Sequence, residues 1–232
     1  SAIMSFTLVL DIAPLPVEVY NEFTRKFPFP LREGYGPTES SPVATVNPIY
    51  GENRAGSVGQ PIPNVELSIR DDAGNELALG ATGEICIRGG NVMRGYWNQP
   101  AESALVLRDG WLRTGDVGHR DAEGYYFITD RKKDLIKTSG YQVWPREVEE
   151  VLTLHPAVAE CGVAGVPDPV KGEAVKAWVV LNAGRQASED ELRAFCRERL
   201  APYKAPSHVE IRTELPKSMI GKVLRRALRD GG

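Results

Sequence analysis

Residues 130–150 read DRKKDLIKTSGYQVWPREVEE, and this stretch decides how the last part of the chain folds. A short charged run ends at Asp134, and two brief segments, Leu135-Ile136-Lys137 and Tyr141-Gln142-Val143, then flank Gly140. That pattern predicts a tight β-hairpin, because glycine adopts at little cost the left-handed backbone that short hairpin turns demand. Pro145 suits the first position of a helix, where its missing N–H is not needed. Val148, Val151 and Leu152 then share one helical face. A charged link followed by strand, turn, strand and helix places a domain boundary near 130–134.

Downstream of this unit the sequence predicts strands near 158–163 and 174–181. Ser188 with Glu191 has the spacing of a helix capping box, and Leu192, Phe195 and Cys196 supply that helix's apolar stripe. Leu215-Pro216-Lys217-Ser218-Met219-Ile220-Gly221-Lys222 reads as a loop entering a short basic helix. Upstream, residues 51–130 are β-rich. Strands are expected at 65–70 and 84–88, with a turn at 71–75 and a hairpin loop at 121–124 leading into 125–128. This suggests a small distorted barrel or a two-sheet subdomain. Residues 1–50 read as strand, helix, strand, loop: a strand ending at Leu10, a helix over 17–27 carrying Tyr20, Phe23 and Phe27, then Leu31-Arg32-Glu33 running into a loop from Gly34. Parallel strands normally sit in a sheet covered on both faces, and this βαβ piece lacks such neighbours. The division expected is thus 1–50, 51–130, a link at 131–133, and 134–232, in classes α/β and α+β.

Composition narrows the function. The chain has 232 residues, 42% hydrophobic and 25% charged, with a formal net charge of −3. No basic excess is available to neutralise phosphates along a nucleic acid, so that partner is not expected. Cys86, Cys161 and Cys196 are odd in number and widely spaced, which suggests neither a zinc site nor a disulfide framework. They suit a reducing cytoplasm. No apolar run approaches the ~20 residues of a membrane helix, and the apolar opening, with no basic segment before it, reads as a buried strand.

Four stretches carry polar chemistry. GYGPTES, at 34–40, combines glycines that permit close backbone approach, an aromatic ring, a hydroxyl and a carboxylate suited to Mg²⁺. LRTGDVG, at 112–118, offers Asp116, a carboxylate able to accept both hydroxyls of a ribose. Asp130-Arg131-Lys132-Lys133-Asp134 offers guanidinium and ammonium donors, and Gly221-Lys222 a point charge on a loop. Taken singly, each also reads as an ordinary surface turn or solvated charge run.

Their order and spacing resemble one family. GYGPTES, GEICIRGGNVMRGYW, WLRTGD, ITDRKKDLIKTSGYQVWPREVEEVL and LPKSMIGKVLRR look like five signature stretches of the adenylate-forming superfamily, which holds acyl-CoA synthetases, firefly luciferase and peptide-synthetase adenylation domains. The resemblance runs from about residue 13 to the end and is strongest to bacterial medium- or long-chain fatty acid–CoA ligases. It implies ATP, Mg²⁺ and CoA as co-substrates of a carboxylic acid. It further implies that Tyr35 stacks on adenine, that Glu33, Gly34 and Gly36 border the nucleotide, and that Thr38 meets the α-phosphate. Glu39 would hold Mg²⁺, Asp116 the ribose with help from Arg131, and Lys133 would be a hinge. Lys137 would approach the adenylate in the thioester-forming state, Ser139 and Gly140 would line the path of the CoA arm, and Lys222 would be the catalytic lysine of adenylation.

The same resemblance implies what is missing. The family's Ser/Thr/Gly-rich phosphate loop ending in Lys has no counterpart here, and Leu10-Asp11-Ile12 stands where a Ser-Gly-Gly or Ser-Gly-Ala stretch is usual. The chain is therefore expected to be the carboxy-terminal part of a ligase, inactive by itself, and open to association with the missing amino-terminal portion or with a second copy. The competing readings are an aryl–CoA ligase, a peptide-synthetase adenylation domain, and a non-catalytic fragment that binds a partner chain.

Overall fold

The computed structural model describes residues 8–11, 17–27, 29, 31–218 and 223–230. The chain divides into two units, Ser1–Thr129 and Asp130–Gly232.

In the first unit, β1 (Leu8–Asp11), α1 (Val17–Lys26) and β2 (Leu31–Tyr35) form a βαβ element whose strands pair in parallel from Leu8↔Leu31 to Asp11↔Gly34. The sequence places a loop from Gly34 onward, yet β2 continues through Tyr35. The cause is a partner that short strands do not advertise. β3 (Thr45–Val46) pairs antiparallel with β2, and β4 (Gln60–Pro61) pairs with β3. Gln60 and Pro61 thereby complete a four-stranded sheet with strands from the first 50 residues. Between β2 and β3 the chain makes one 3-10 turn, Thr38–Ser40. Gly36 is obligatory there, since an added Cβ would lie 1.9 Å from the Pro42 carbonyl oxygen.

A second sheet holds β5 (Val65–Arg70), β6 (Gly83–Gly89), β7 (Leu107–Arg108), β8 (Trp111–Arg120) and β9 (Tyr126–Arg131), in the order β5-β6-β8-β7 with β9 on β8. A helix, α2 (Pro100–Val106), precedes β7. Alternate residues of β5 and β6 (Leu67 and Ile69, Ile85 and Ile87) point to one face and join Leu112, Tyr126, Val58, Ala44 and Tyr35 in a single core.

The second unit opens as the sequence predicts. β10 (Ile136–Thr138) and β11 (Tyr141–Val143) are joined by Ser139 and Gly140, with φ of 50° and 82°. Positive φ at both central residues is the type I′ signature whose twist matches paired strands. In α3 (Pro145–Thr153), Pro145 takes the first turn, and Val148 and Leu152 are fully buried. β12 (Val158–Asp168) and β13 (Gly172–Leu181) make a long antiparallel ladder. α4 (Glu189–Arg197) begins with the expected capping box between Ser188 and Glu191. β14 (His208–Arg212), which the sequence did not announce, pairs in parallel with β13 from Lys176↔His208 to Val180↔Arg212. α5 (Arg225–Asp230) follows. Val175, Ala177 and Val179 face the core beneath α3 and α4, while Trp178 faces Leu215 and Leu228 on the other side. No helix among the described residues is long and apolar enough to cross a membrane.

Candidate functional site

The geometry around Asp116 comes from a bulge. On β6, Glu84 faces Val117 of β8 and Cys86 faces Arg113, so Thr114, Gly115 and Asp116 together oppose Ile85. Bulges let a strand re-aim a side chain, and Gly115 supplies the needed backbone with φ of 73°. Three bonds fix the distortion. Thr114 Oγ1 donates to the Ile85 carbonyl at 2.7 Å, Gly115 N–H donates to Glu84 Oε1 at 3.1 Å, and Asp116 N–H donates to Thr114 Oγ1 at 3.0 Å. Residues 112–118 read in sequence as a turn. They lie inside β8 because the bulge absorbs the turn-forming Thr-Gly-Asp without ending the ladder.

The bulge brings the Asp116 carboxylate to Tyr35, whose hydroxyl donates to Oδ2 at 2.7 Å across 81 residues of sequence. Asp116 is 5% exposed and Tyr35 8%. Glu33 is also buried and accepts from the Gly56 N–H at 3.3 Å, while Gly34 is locked in the ladder between β1 and β3. Gly36 abuts Pro42, so its small size serves the turn's own packing.

Thr38 is exposed and Glu39 half-buried in the 3-10 turn. Asn91, Met93 and Tyr96, more than 50 residues further along the chain, brace them. Tyr96 Oη donates to Glu39 Oε1 at 2.8 Å, and the Met93 N–H donates to the Glu39 carbonyl at 2.8 Å. Asn91 Nδ2 donates to the carbonyls of Ser40 and Val43, and Ser41 Oγ donates to the Asn91 carbonyl. NVMRGYW is therefore a clamp on the turn. The bond to Glu39, with burial adding to it, raises the Tyr96 phenol pKa. Among the described residues no three carboxylate, thiol or imidazole groups gather as a metal cluster. Glu39 fits the part of a single oriented oxygen ligand, and a hard cation bound that way takes its remaining oxygens from substrate and water.

In the second unit the predicted residues lie differently. Arg131, Lys133, Lys137, Ser139 and Gly140 are all exposed. Lys133 sits in a 3-10 turn, Lys132–Asp134. Lys137 is on β10, its N–H donating to Glu173 Oε2 at 2.7 Å. A Cβ on Gly140 would meet nothing within 4 Å. Lys222 and Ile12 lie outside the described residues. Asp130, unremarked in sequence beyond marking a boundary, is buried and accepts the N–H groups of Arg131 and Arg146, each at 2.8 Å. A groove of about 490 Å³ along β5, walled by Arg70, Arg88 and Trp111, includes none of the predicted site residues.

Two family models match. The AMP-binding enzyme model covers residues 5–97, and the AMP-binding enzyme C-terminal domain model covers residues 147–222. The chain belongs to the adenylate-forming, AMP-binding enzymes. Within that class it is 53% identical over 217 residues to the long-chain-fatty-acid–CoA ligase of Bacillus subtilis, a match spanning 93% of this chain and 39% of the relative. It is 51% identical over 200 residues to the long-chain-fatty-acid–CoA ligase of Yersinia pestis, spanning 86% of this chain and 35% of that one. Among solved structures, ATP-bound MatB from Rhodopseudomonas palustris superposes with a TM-score of 0.92 at 36% identity, over 96% of this chain and 44% of its own. The o-succinylbenzoate CoA synthetase MenE from Bacillus subtilis, bound to its acyl-adenylate OSB-AMP, gives 0.86 at 37%, over 97% and 46%. The chain thus spans less than half the length of these relatives.

Proposed function

We propose that the chain serves as the carboxy-terminal portion of an ATP-dependent acid–CoA ligase that converts a fatty acid to acyl-AMP and then to its CoA thioester. The observation that carries this reading is the Tyr35–Asp116 pair. Two residues from separate signature stretches, one assigned to adenine and the other to ribose, meet at 2.7 Å in a buried corner built by a dedicated bulge. The relatives' names support a long-chain acid and CoA as substrates, and the ATP- and acyl-adenylate-bound neighbours support the nucleotide.

In this scheme Tyr35, Asp116, Glu33, Gly34 and Gly36 frame the nucleoside, Thr38 meets the α-phosphate, and Glu39, oriented by Tyr96, takes Mg²⁺. Attack of the carboxylate on the α-phosphate accumulates negative charge, so Lys222 acts by positioning a cation rather than by moving a proton. Turning about Lys133 then exchanges Lys222 for Lys137 and the Ser139-Gly140 turn, whose open surroundings suit a passing thiol arm, with Arg131 assisting the ribose. A cytoplasmic setting belongs to the same proposal, supported by three free thiols.

The test joins residues 1–232 to the amino-terminal portion of the Bacillus subtilis relative. Acid-dependent pyrophosphate exchange is expected with fatty acids, and Lys222→Ala is expected to lower it by on the order of 10²–10³. Thioester formation from supplied acyl-adenylate should survive that change. A folded fusion with no exchange for any acid would instead favour a non-catalytic fragment that binds a partner chain.

A further inference from the structure

Arg225, the first residue of α5, spreads one guanidinium over three carboxylates. Its Nε and Nη2 donate to Glu149 Oε1 and Oε2 at 3.0 and 2.6 Å, and its Nη1 donates to Asp130 Oδ1 at 2.6 Å and Asp134 Oδ2 at 3.2 Å. Such forked, charge-assisted bonds are directional as well as strong. The contacts are well covered: side-chain exposure is 3% for Asp130, 19% for Glu149 and 21% for Arg225.

Two of the carboxylates hold other segments as well. Asp130 accepts the Arg146 N–H in the first turn of α3 through Oδ2 and the Arg131 N–H through Oδ1. Glu149 Oε1 accepts the Val163 N–H of β12. One arginine therefore ties the start of the unit, the 3-10 turn Lys132–Asp134, α3, β12 and α5 into one body. Burial works against the Arg225 charge, and the bonds to Glu149 and Asp130 outweigh it, keeping the group protonated.

The consequence concerns the turn itself. Lys133 lies between Asp130 and Asp134, and both of these are anchored to the same guanidinium. A rotation of the backbone at Lys133 moves one anchor relative to the other, so both cannot remain in place. Asp134 lies on the side that stays with α3 and β12, which leaves Asp130 as the anchor that must let go.

We propose that Arg225 is a positioning residue that latches residues 130–134, and that release of Asp130 from Arg225 and from the α3 N-terminus gates any turning at Lys133. The catalytic weight of this latch rests on the two-step ligase reading, whereas the latch itself is testable without it.

Amide hydrogen exchange of the 232-residue chain reads the latch directly. In Arg225→Met and in Asp130→Asn, exchange of residues 131–134 is expected to rise about tenfold or more while β12 and β13 keep wild-type protection. Arg225→Lys, which keeps the charge and loses the fork, should fall between, and Asp134→Asn should change least. If Arg225→Met loosens β12 and β13 as well, Asp130→Asn decides alone, since it leaves the Arg225–Glu149 fork intact. Wild-type exchange at 131–134 in Asp130→Asn overturns the proposal. In the fusion with the Bacillus subtilis amino-terminal portion, Asp130→Asn should shift the ratio of thioester formation to adenylation several-fold, and an unchanged ratio counts against the latch. A wild-type fusion inactive in both steps sinks the ligase reading instead, and the exchange data still decide the latch.

Discussion

Three candidate residues of the first unit are carried in the opposite way to those described in the second. In the first, Glu33, Tyr35 and Asp116 are 3%, 8% and 5% exposed and are held by a bulge, a ladder and a hydroxyl–carboxylate bond. In the second, Arg131, Lys133, Lys137, Ser139 and Gly140 are exposed on a turn and a hairpin. Groups that must recognise one fixed shape gain from rigidity, because their geometry is then set before the ligand arrives. Groups that must change place gain from standing clear of the core, where a few dihedrals move them without unpacking anything. The exposed residues of the second unit nevertheless stand on a well-packed base that includes Val148, Leu152, Val175 and Leu192. A substitution should therefore cost stability in the first set and mainly function in the second.

Glycine-to-alanine changes give the strongest contrast. Gly36→Ala drives a Cβ to 1.9 Å from a backbone oxygen that has no rotamer with which to yield. A loss of about 3 kcal/mol is expected in urea melts, and a wild-type midpoint would break the comparison. Asp116→Ala removes the carboxylate that accepts from the buried Tyr35 hydroxyl at 2.7 Å, which should cost about 2 kcal/mol. Equal stability would mean that the corner is not preorganised. Gly140→Ala meets no atom within 4 Å and pays only for φ of +82°, so about 1 kcal/mol is expected. A loss as large as that of Gly36→Ala would show the hairpin turn to be packed in solution.

A slope with pH probes the core of the second unit. Burial raises the Cys196 thiol from 9.0 to about 11, and raises Cys161 further still. Below about 9.0 both states bind the proton and the contribution is complete. Above it the unfolded chain loses protons that the folded chain keeps, so stability falls as pH rises toward about 11. Melts monitored at Trp178, which is fully buried in the second unit, should shift down over that window. Cys196→Ser and Cys161→Ser should flatten the slope, and a slope unaltered in both variants would assign it elsewhere.

Local chemistry made parts of this protein legible from sequence. The Ser139-Gly140 turn, the start of α3 at Pro145 and the Ser188–Glu191 capping box each depend on residues within a few positions of one another, and the structure shows them where the sequence puts them. The family was legible for a related reason, since its signature stretches are short and ordered along the chain. What could not be read depends on partners far away in sequence. β2 extends through Tyr35 because β3 pairs with it, and β14 is a strand because β13 offers it an edge. Thr114-Gly115-Asp116 carries every sign of a turn, and only the ladder with β6 makes it a bulge that aims Asp116 at Tyr35. Tyr96 acquires its role from Glu39, 57 residues away, and Arg225 from Asp130, 95 residues away. Sequence determines which local geometries a segment can adopt, because those energies are set by neighbouring atoms. Tertiary structure decides which buried donor meets which acceptor, because an unpaired polar group is costly only once the fold has taken water away from it.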